Sequence, residues 1–442
     1  MDIKQLKDLV RESGVVGAGG AGFPTYVKLD ERAETIIMNC AECEPLLKLH
    51  RQLLEVYAYE ILKTFDLIAE VVGAKEAIIG IKKEYKSTVV ALNNHISEFP
   101  RVKIHLLDGV YPMGDEVVLI YEATKKVVRP GGLPIEEGIA VFNVETIYNI
   151  YQAMESGKPV TDKVVSVVAE VEHPVTVRVP LGCTIGEVVA LAGKTTTEDA
   201  VYFVGGPMMG NIGTVDQPVT KTTNAILVLP KDHYLVMKKN SNPSIEMKRS
   251  ASICCQCQMC TDLCPRHALG HPIQPHLFMR ASSNKDFQDT NPFVNTLFCS
   301  SCGICELYSC PQGLAPRSLM AVYKGGLRQA GVKPPQVEAT PIAYSREYRK
   351  VPEERLEARL DLVKYDVEAP LTDEVVPMNS VKILLGQHIG APAVACVKKG
   401  DSVTVGQMIG KPADGLSVGI HASITGKVVD VQDKYIIINK SK

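Results

Sequence analysis

Apolar residues recur along this chain in several rhythms, and each rhythm implies a different kind of fold. Ile3, Leu6, Leu9 and Val10 fall at helical spacing among charged neighbours, which predicts an amphipathic helix over residues 2–12. Short β-branched runs then alternate with longer helical patterns. Strands are predicted at Thr35–Asn39, Ala77–Ile81, Lys103–Leu107 and Ile139–Phe142, and helices over 52–71, 84–96, 115–124 and 144–155. That alternation predicts an α/β domain with a largely parallel sheet over residues 1–158.

The rhythm then changes. Val164–Val171 and Thr176–Val179 are β-rich, Thr184 stands where an N-cap would open a short helix, and Ala225–Leu229 is a further apolar run. A small α+β unit over 159–232 is expected. Residues 231–250 are polar and basic around Asn242-Pro243, which suggests a linker. Helical pieces surround cysteines over 249–332. Residues 333–378 are rich in Pro, Glu and Arg, and predict a wrapping or partly mobile connector. The segment 379–442 is β-rich again. Its runs 397–407 and 424–428 resemble the hairpins of lipoyl- and biotinyl-type sandwiches, but no lysine stands at the turn near His421-Ala422-Ser423. A sandwich fold without the swinging arm is expected.

Length and charge narrow the class. At 442 residues, three or four domains are expected. A net charge of −2 leaves no electrostatic footprint for nucleic acid. No run approaches the ~20 apolar residues of a bilayer span, so direct membrane insertion is not expected. The charged N-terminal helix does not read as a secretory signal, and a cytoplasmic chain is expected. In that setting, 13 cysteines point to metal or redox chemistry rather than to disulfides.

Eight of those cysteines decide the class. One run is Cys254-x-x-Cys257-x-x-Cys260-x-x-x-Cys264-Pro265, and the other is Cys299-x-x-Cys302-x-x-Cys305-x-x-x-x-Cys310-Pro311. Zinc sites usually pair CxxC units without a third cysteine at the next step. Three thiolates two residues apart can hold three corners of a cubane, and the fourth, before proline, reaches the other cluster. Two [4Fe–4S] clusters are therefore expected. Cys254, Cys257, Cys260 and Cys310 would hold one; Cys299, Cys302, Cys305 and Cys264 would hold the other. Cys255 competes with Cys254, but only Cys254 gives the regular spacing. His267, His271 and His276 flank the runs and are expected to pack or support rather than ligate. Cys40, Cys43, Cys183 and Cys396 are isolated and read as small buried hydrophobes.

A second feature is the loop Gly17-Ala18-Gly19-Gly20-Ala21-Gly22-Phe23-Pro24, which contains GxGxxG. It follows a helix rather than a strand, so a simple Rossmann fold is not predicted. Residues without Cβ still let backbone amides approach an anion closely. Phosphate binding is expected, with Lys28 as a nearby point charge.

These residues carry a family resemblance. Gly17–Thr25, Tyr111–Glu116 and Asn143–Thr146 are similar to the flavin site of the NADH-binding 51 kDa flavoprotein of respiratory complex I. Ala18 and Ala41 stand where that flavoprotein has arginine and aspartate. Asn39–Pro45, Gly205–Gly210 and Cys302–Cys305 resemble the RnfC component of the Rnf ferredoxin:NAD complex, as do His388–Pro392 and His421–Gly426. In RnfC the sandwich comes first, whereas here it comes last. That order, with the phrases Cys260–His271 and Cys310–Arg317, resembles the cobalamin reductases of propanediol-utilisation microcompartments (the PduS type).

The resemblance implies a multidomain α/β protein. Its parts would be a NuoF-like flavin-binding domain, an SLBB (ubiquitin-like) α+β module, a two-cluster ferredoxin-like helical domain and a C-terminal barrel-sandwich hybrid. It implies FMN as cofactor and NADH as substrate. Gly17, Gly19, Gly20 and Lys28 would cradle the phosphate. Asn39, Asn143 and Thr146 would lie along the flavin and ribityl chain, with Phe23 available for stacking. Glu42, Glu44, Tyr111, Gly114, Asp115 and Glu116 would line the nicotinamide side. Electrons would pass from NADH through FMN and both clusters to a corrinoid or a redox protein. An adenosyltransferase or a microcompartment shell protein would be a neighbour, and the enzyme could work inside the compartment. Two alternatives stay open: an RnfC-like electron-input component of a membrane complex, and a non-catalytic iron–sulfur conduit.

Overall fold

Strands Thr35–Cys40, Glu76–Lys82, Val102–Leu107 and Ile139–Asn143 form one parallel sheet in the computed structural model, which describes residues 1–441. Strand periodicity explains why both faces are covered. Ile36, Met38 and Cys40 join a core with the helices Leu49–Val56, Ala58–Val72 and Val144–Ser156. Ile37 and Ala41 join a second core with the helix Glu116–Thr124. The chain runs from the first strand outward through the second and third, then places Ile139–Asn143 on the first strand's other side. The direction of winding reverses there, and a crevice opens at the carboxyl ends of the first strand and of Ile139–Asn143. Asn39 and Asn143 are register neighbours at that crevice.

The helix expected over 52–71 is two helices. Tyr57 leaves helical geometry (φ −120°, ψ 33°) and gives its hydroxyl to Asp373 of a distant strand. The next unit is a mixed six-stranded sheet. Thr184 caps the helix Ile185–Ala190 as its sequence predicts, in a capping box with Glu187.

The expected linker at 231–250 is instead helical, at Tyr234–Lys239 and Pro243–Ile253. Asn242-Pro243 is a helix start: the Asn242 side chain accepts from the Ser244 amide at 2.9 Å, and Pro243 sits where no N–H is missed. Residues 333–378 are built into the fold at several points. Leu371–Val375 adds an edge strand to the six-stranded sheet, parallel to Val175–Pro180. Val351–Pro352 pairs with Val110–Tyr111, and Arg346 is buried against Glu122 at 2.6 Å. The C-terminal segment forms a four-stranded and a three-stranded sheet. Its core residues Val381, Ile383 and Ile438 continue into Val165, Val177 and Ile226 of the six-stranded unit. His421, Ala422 and Ser423 are buried there.

Candidate redox site

The crevice opens into a cleft of about 440 Å³. Every residue expected at the flavin and nicotinamide sites lines it: Gly17, Gly19, Gly20, Phe23, Lys28, Asn39, Glu42, Glu44, Tyr111, Gly114, Asp115, Glu116, Asn143 and Thr146. The glycine loop is closed by Gly17 N–H on the Phe23 carbonyl (2.9 Å) and pinned by Ala18 N–H on Thr146 Oγ1 (2.9 Å). Gly20 has φ +69°, and a Cβ there would meet nothing within 4 Å. Its turn needs glycine, and the space beside it is open to a ligand.

Most of the polar side chains are fixed by the protein itself. Asn143 Oδ1 caps the helix Val144–Ser156, accepting from Glu145 N–H at 2.9 Å. That leaves its Nδ2 3.3 Å from His50 Nε2. Burial lowers the His50 pKa to about 4, so the imidazole is neutral and accepts this bond. Asn39 Nδ2 donates to the Gly114 carbonyl at 2.9 Å. Lys28 Nζ donates to the Val141 carbonyl (2.8 Å) and to Glu116 (3.2 Å), which aims its charge into the cleft wall. Glu44 accepts from the amides of Met208 (2.8 Å) and Met209 (3.0 Å), and burial raises its pKa to about 7.

Three buried polar atoms of cleft-lining residues have no protein partner among the described residues: Thr25 Oγ1, Glu42 Oε2 and Asn224 Oδ1. Buried polar atoms need partners. With the open glycine loop, they fit a ligand rich in hydroxyl, amide and phosphate groups, as FMN is. Thr25, His50, Asn224, Met209, Ser300 and Cys302 line the cleft without having been singled out for it from the sequence.

The eight cluster cysteines surround two separate cavities. Cys264, Cys299, Cys302 and Cys305 line one. Cys254, Cys257, Cys260 and Cys310 line the other, together with Cys255. Both runs twist alike. Gln256 (φ +54°) and Gln258 (φ +65°) flank Cys257 as Ser301 (φ +64°) and Gly303 (φ +86°) flank Cys302. That correspondence pairs Cys254 with Cys299, and Cys255 with Ser300. Among the described residues, no group of three His, Cys, Asp or Glu is arranged to hold a single metal ion. A zinc ion needs its ligands within about 2.3 Å, whereas a cubane needs a ring of thiolates around a space. Burial pushes the free thiols of Cys260 and Cys264 up to about 12, so thiolates there call for a cationic cage.

His271 is buried and bonded to the Val128 carbonyl (3.0 Å), and His276 is bonded to Thr261 (2.7 Å); both support packing. Cys40 and Cys183 are buried as expected. Cys396 is exposed, just past the short edge strand Val394–Ala395, and Cys43 is half-buried with its sulfur accepting from Gly114 N–H at 3.2 Å.

Comparison with known proteins gives the assembly a place. A cobalamin reductase PduS of Salmonella typhimurium is 40% identical over 436 residues, covering 98% of this chain and 96% of that protein. One from Citrobacter freundii is 38% identical over 439 residues, covering 99% and 97%. The chain belongs to the PduS cobalamin reductase family. Its segments match the Nuo51 FMN-binding domain at 10–152, the 4Fe-4S dicluster domain at 253–315 and the RnfC barrel sandwich hybrid domain at 364–442. A component of the Na⁺-translocating ferredoxin:NAD⁺ oxidoreductase complex of Acetobacterium woodii is 31% identical over 273 residues, 60% of this chain and 59% of that protein. A crystal structure of an NAD⁺-reducing [NiFe]-hydrogenase shares the fold at TM-score 0.50 and 22% identity, over 76% of this chain and 64% of that one. Like the PduS reductases, this chain is an oxidoreductase, with FMN and [4Fe–4S] clusters as cofactors, and NADH as substrate fits the Nuo51 match. The reading as a non-catalytic conduit falls with that assignment. No helix among the described residues is long and apolar enough to cross a membrane.

Proposed function

We propose that the enzyme takes electrons from NADH and delivers them singly to a corrinoid, as a cobalamin reductase. The observation that carries this reading is a shared wall: the cleft of the glycine loop also takes in Ser300 and Cys302 of the second cysteine run. A bound flavin supplies the conversion between a two-electron donor and one-electron acceptors.

The chain's own residues do the placing. Gly19 and Gly20 offer backbone amides to the phosphate end, Gly17 holds the cradle closed through its own N–H on the Phe23 carbonyl, and Lys28 holds a fixed positive charge nearby. Asn39, Asn143 and Thr146 stand at the switch point along the ring and ribityl chain, with Phe23 to stack. Glu42, Glu44, Tyr111, Gly114, Asp115 and Glu116 form the nicotinamide side. The two cysteine sets hold the clusters as their spacing predicts. Residues 159–232 are read as the SLBB module, supported by their mixed sheet and single capped helix.

Anaerobically purified protein, loaded with FMN, iron and sulfide, is the test. NADH should bleach the flavin band, and cob(III)alamin should then be reduced. Fully loaded protein that turns over neither substrate would sink the reading.

An RnfC-like role is the second reading, favoured by the sandwich match at 364–442. Neighbouring genes separate the two. Genes for membrane components would favour the Rnf-like role. Shell-protein, diol-dehydratase and adenosyltransferase genes would favour the lead and a place inside a microcompartment.

A further inference from the structure

We propose that the two clusters stand in a fixed order and that the corrin ring of the acceptor meets the enzyme at the loop Cys255–Gln258 together with Gln312. The set Cys264, Cys299, Cys302 and Cys305 is the inner one, and the set Cys254, Cys257, Cys260 and Cys310 is the exit. The docking part rests on the corrinoid reading above; the order of the clusters does not.

Three observations carry this. Cys302 lines both the flavin cleft and the inner cavity, whereas no cysteine of the first run lines the cleft. In the inner set Cys264 and Cys305 are buried and Cys299 and Cys302 half-buried, whereas in the other set Cys257 is exposed and Cys254, Cys260 and Cys310 are half-buried. An electron entering at the cleft therefore meets the inner set first, and the more solvent-exposed set is the other.

The third observation concerns chemistry at the exit. Gln256, Gln258 and Gln312 line its cavity and are exposed, and among the described residues no Asp, Glu, Lys or Arg lines it. The cations Arg266 and Arg317 line the inner cavity instead. An acidic redox protein is steered and held by a basic rim; the lining of this cavity supplies none, and the nearby Lys238 is turned onto the Gly313 carbonyl. A corrin ring carries neutral carboxamide arms around its edge, which pair with glutamine amides. The balance is simple: one hydride enters at the cleft and leaves NAD⁺. Its two electrons leave singly, each converting one Co(III) to Co(II), and its proton goes to solvent.

The test has two arms. Holoenzyme is first reduced with dithionite, without NADH or corrinoid, and its cluster EPR signals are power-saturated with and without a soluble dysprosium chelate. One signal should relax much faster with the chelate. Gln256 Nε2 lies 3.3 Å from Cys254 Sγ, so Gln256→Arg should raise the reduction potential of that same signal and leave the other unmoved. Equal relaxation of both signals, or a shift in the shielded one, overturns the order. In the second arm, Gln258→Glu with Gln312→Glu should slow reoxidation by cob(III)alamin severalfold. Flavin bleaching by NADH and the line shapes of both EPR signals should stay unchanged, and the fall in the exit cluster's potential that two carboxylates bring would by itself speed the transfer rather than slow it. Unslowed reoxidation overturns the docking site. A wild-type holoenzyme that shows the cluster order yet never reduces cob(III)alamin overturns the corrinoid reading and the docking site while sparing the order.

Discussion

The Tyr111 hydroxyl donates to the Cys302 carbonyl at 2.6 Å, so a side chain in the wall of the flavin cleft is bonded to the backbone of the second cysteine run. Tyr111 is buried, and burial holds its hydroxyl protonated as a donor. Tyr111→Phe keeps the ring and strands the carbonyl. That should cost about 1–3 kcal/mol, read as a lowered melting temperature. It should also slow reoxidation of the bleached flavin through the clusters, while FMN content stays at the wild-type level. Unchanged stopped-flow traces would separate the hydrogen bond from electron transfer.

A second link ties the same two regions. Arg266 donates to Asp115 Oδ2 through Nη2 (2.9 Å) and Nε (3.2 Å). Asp115 lines the cleft and Arg266 the inner cluster cavity. Asp115 also caps the helix Glu116–Thr124, accepting from Val117 and Val118 N–H at 3.1 and 3.2 Å. Asp115→Asn keeps a cap but strands a buried cation, at about 3 kcal/mol. Asp115→Ala loses the cap as well, about 1 kcal/mol more. Denaturant titrations of both variants check the increment. Equal losses would mean that the cap contributes nothing.

Local signals made much of this site legible. The first three thiolates of each run, two residues apart, share a cavity as near neighbours, and the cysteine before proline crosses over, Cys264 to the cavity of Cys299, Cys302 and Cys305 and Cys310 to that of Cys254, Cys257 and Cys260. Asn39 and Asn143 lay at the ends of predicted strands. His50 was invisible: its neighbour Asn143 is 93 positions away, and only the parallel sheet brings them together. Asn224 enters the cleft from the six-stranded unit, which no periodicity relates to the glycine loop. At 231–250 the polar composition outweighed a clear cap signal, Asn242-Pro243, and hid a helix. The connector's edge strand could not be read either, because its partner, Val175–Pro180, lies far back in the chain.

Glu44 should leave a signature in the pH dependence of stability. Burial raises its pKa from 4.5 to about 7 in the folded protein. Between those values the folded state keeps a proton that the unfolded chain has lost, so this group makes stability fall as pH rises, by about 1.4 kcal/mol per unit. His50 and His271, lowered to about 4, and His421, lowered to about 3, act with the opposite sign up to 6.5. The informative quantity is therefore a difference. Glu44→Gln should steepen the gain in stability from pH 4.5 to 6.5 relative to wild type. Parallel curves would show that Glu44 ionises normally.

Lys221 makes the reverse case at the junction of three parts of the chain. Its Nζ is buried and donates to the Gly14 carbonyl (2.6 Å) and the Gly419 carbonyl (3.1 Å), while its own N–H donates to Gln387 Oε1 (3.0 Å). Gly14 lies just before the glycine loop, and Ile389 N–H reaches the Gly22 carbonyl at 3.3 Å, so the C-terminal sandwich holds the loop from behind. Desolvation lowers the Lys221 pKa from 10.5 to about 7. Across that window the unfolded chain binds a proton that the folded one releases, so this group makes stability rise with pH, again by about 1.4 kcal/mol per unit. Lys239, lowered to about 8, adds in the same direction, so the comparison must be made against wild type. Lys221→Met should flatten the rise between pH 7 and 10. It strands two buried carbonyls and should also loosen FMN, read as a higher dissociation constant by fluorescence quenching. Identical slopes, with FMN held as tightly as before, would show that the lysine neither titrates in this window nor braces the loop.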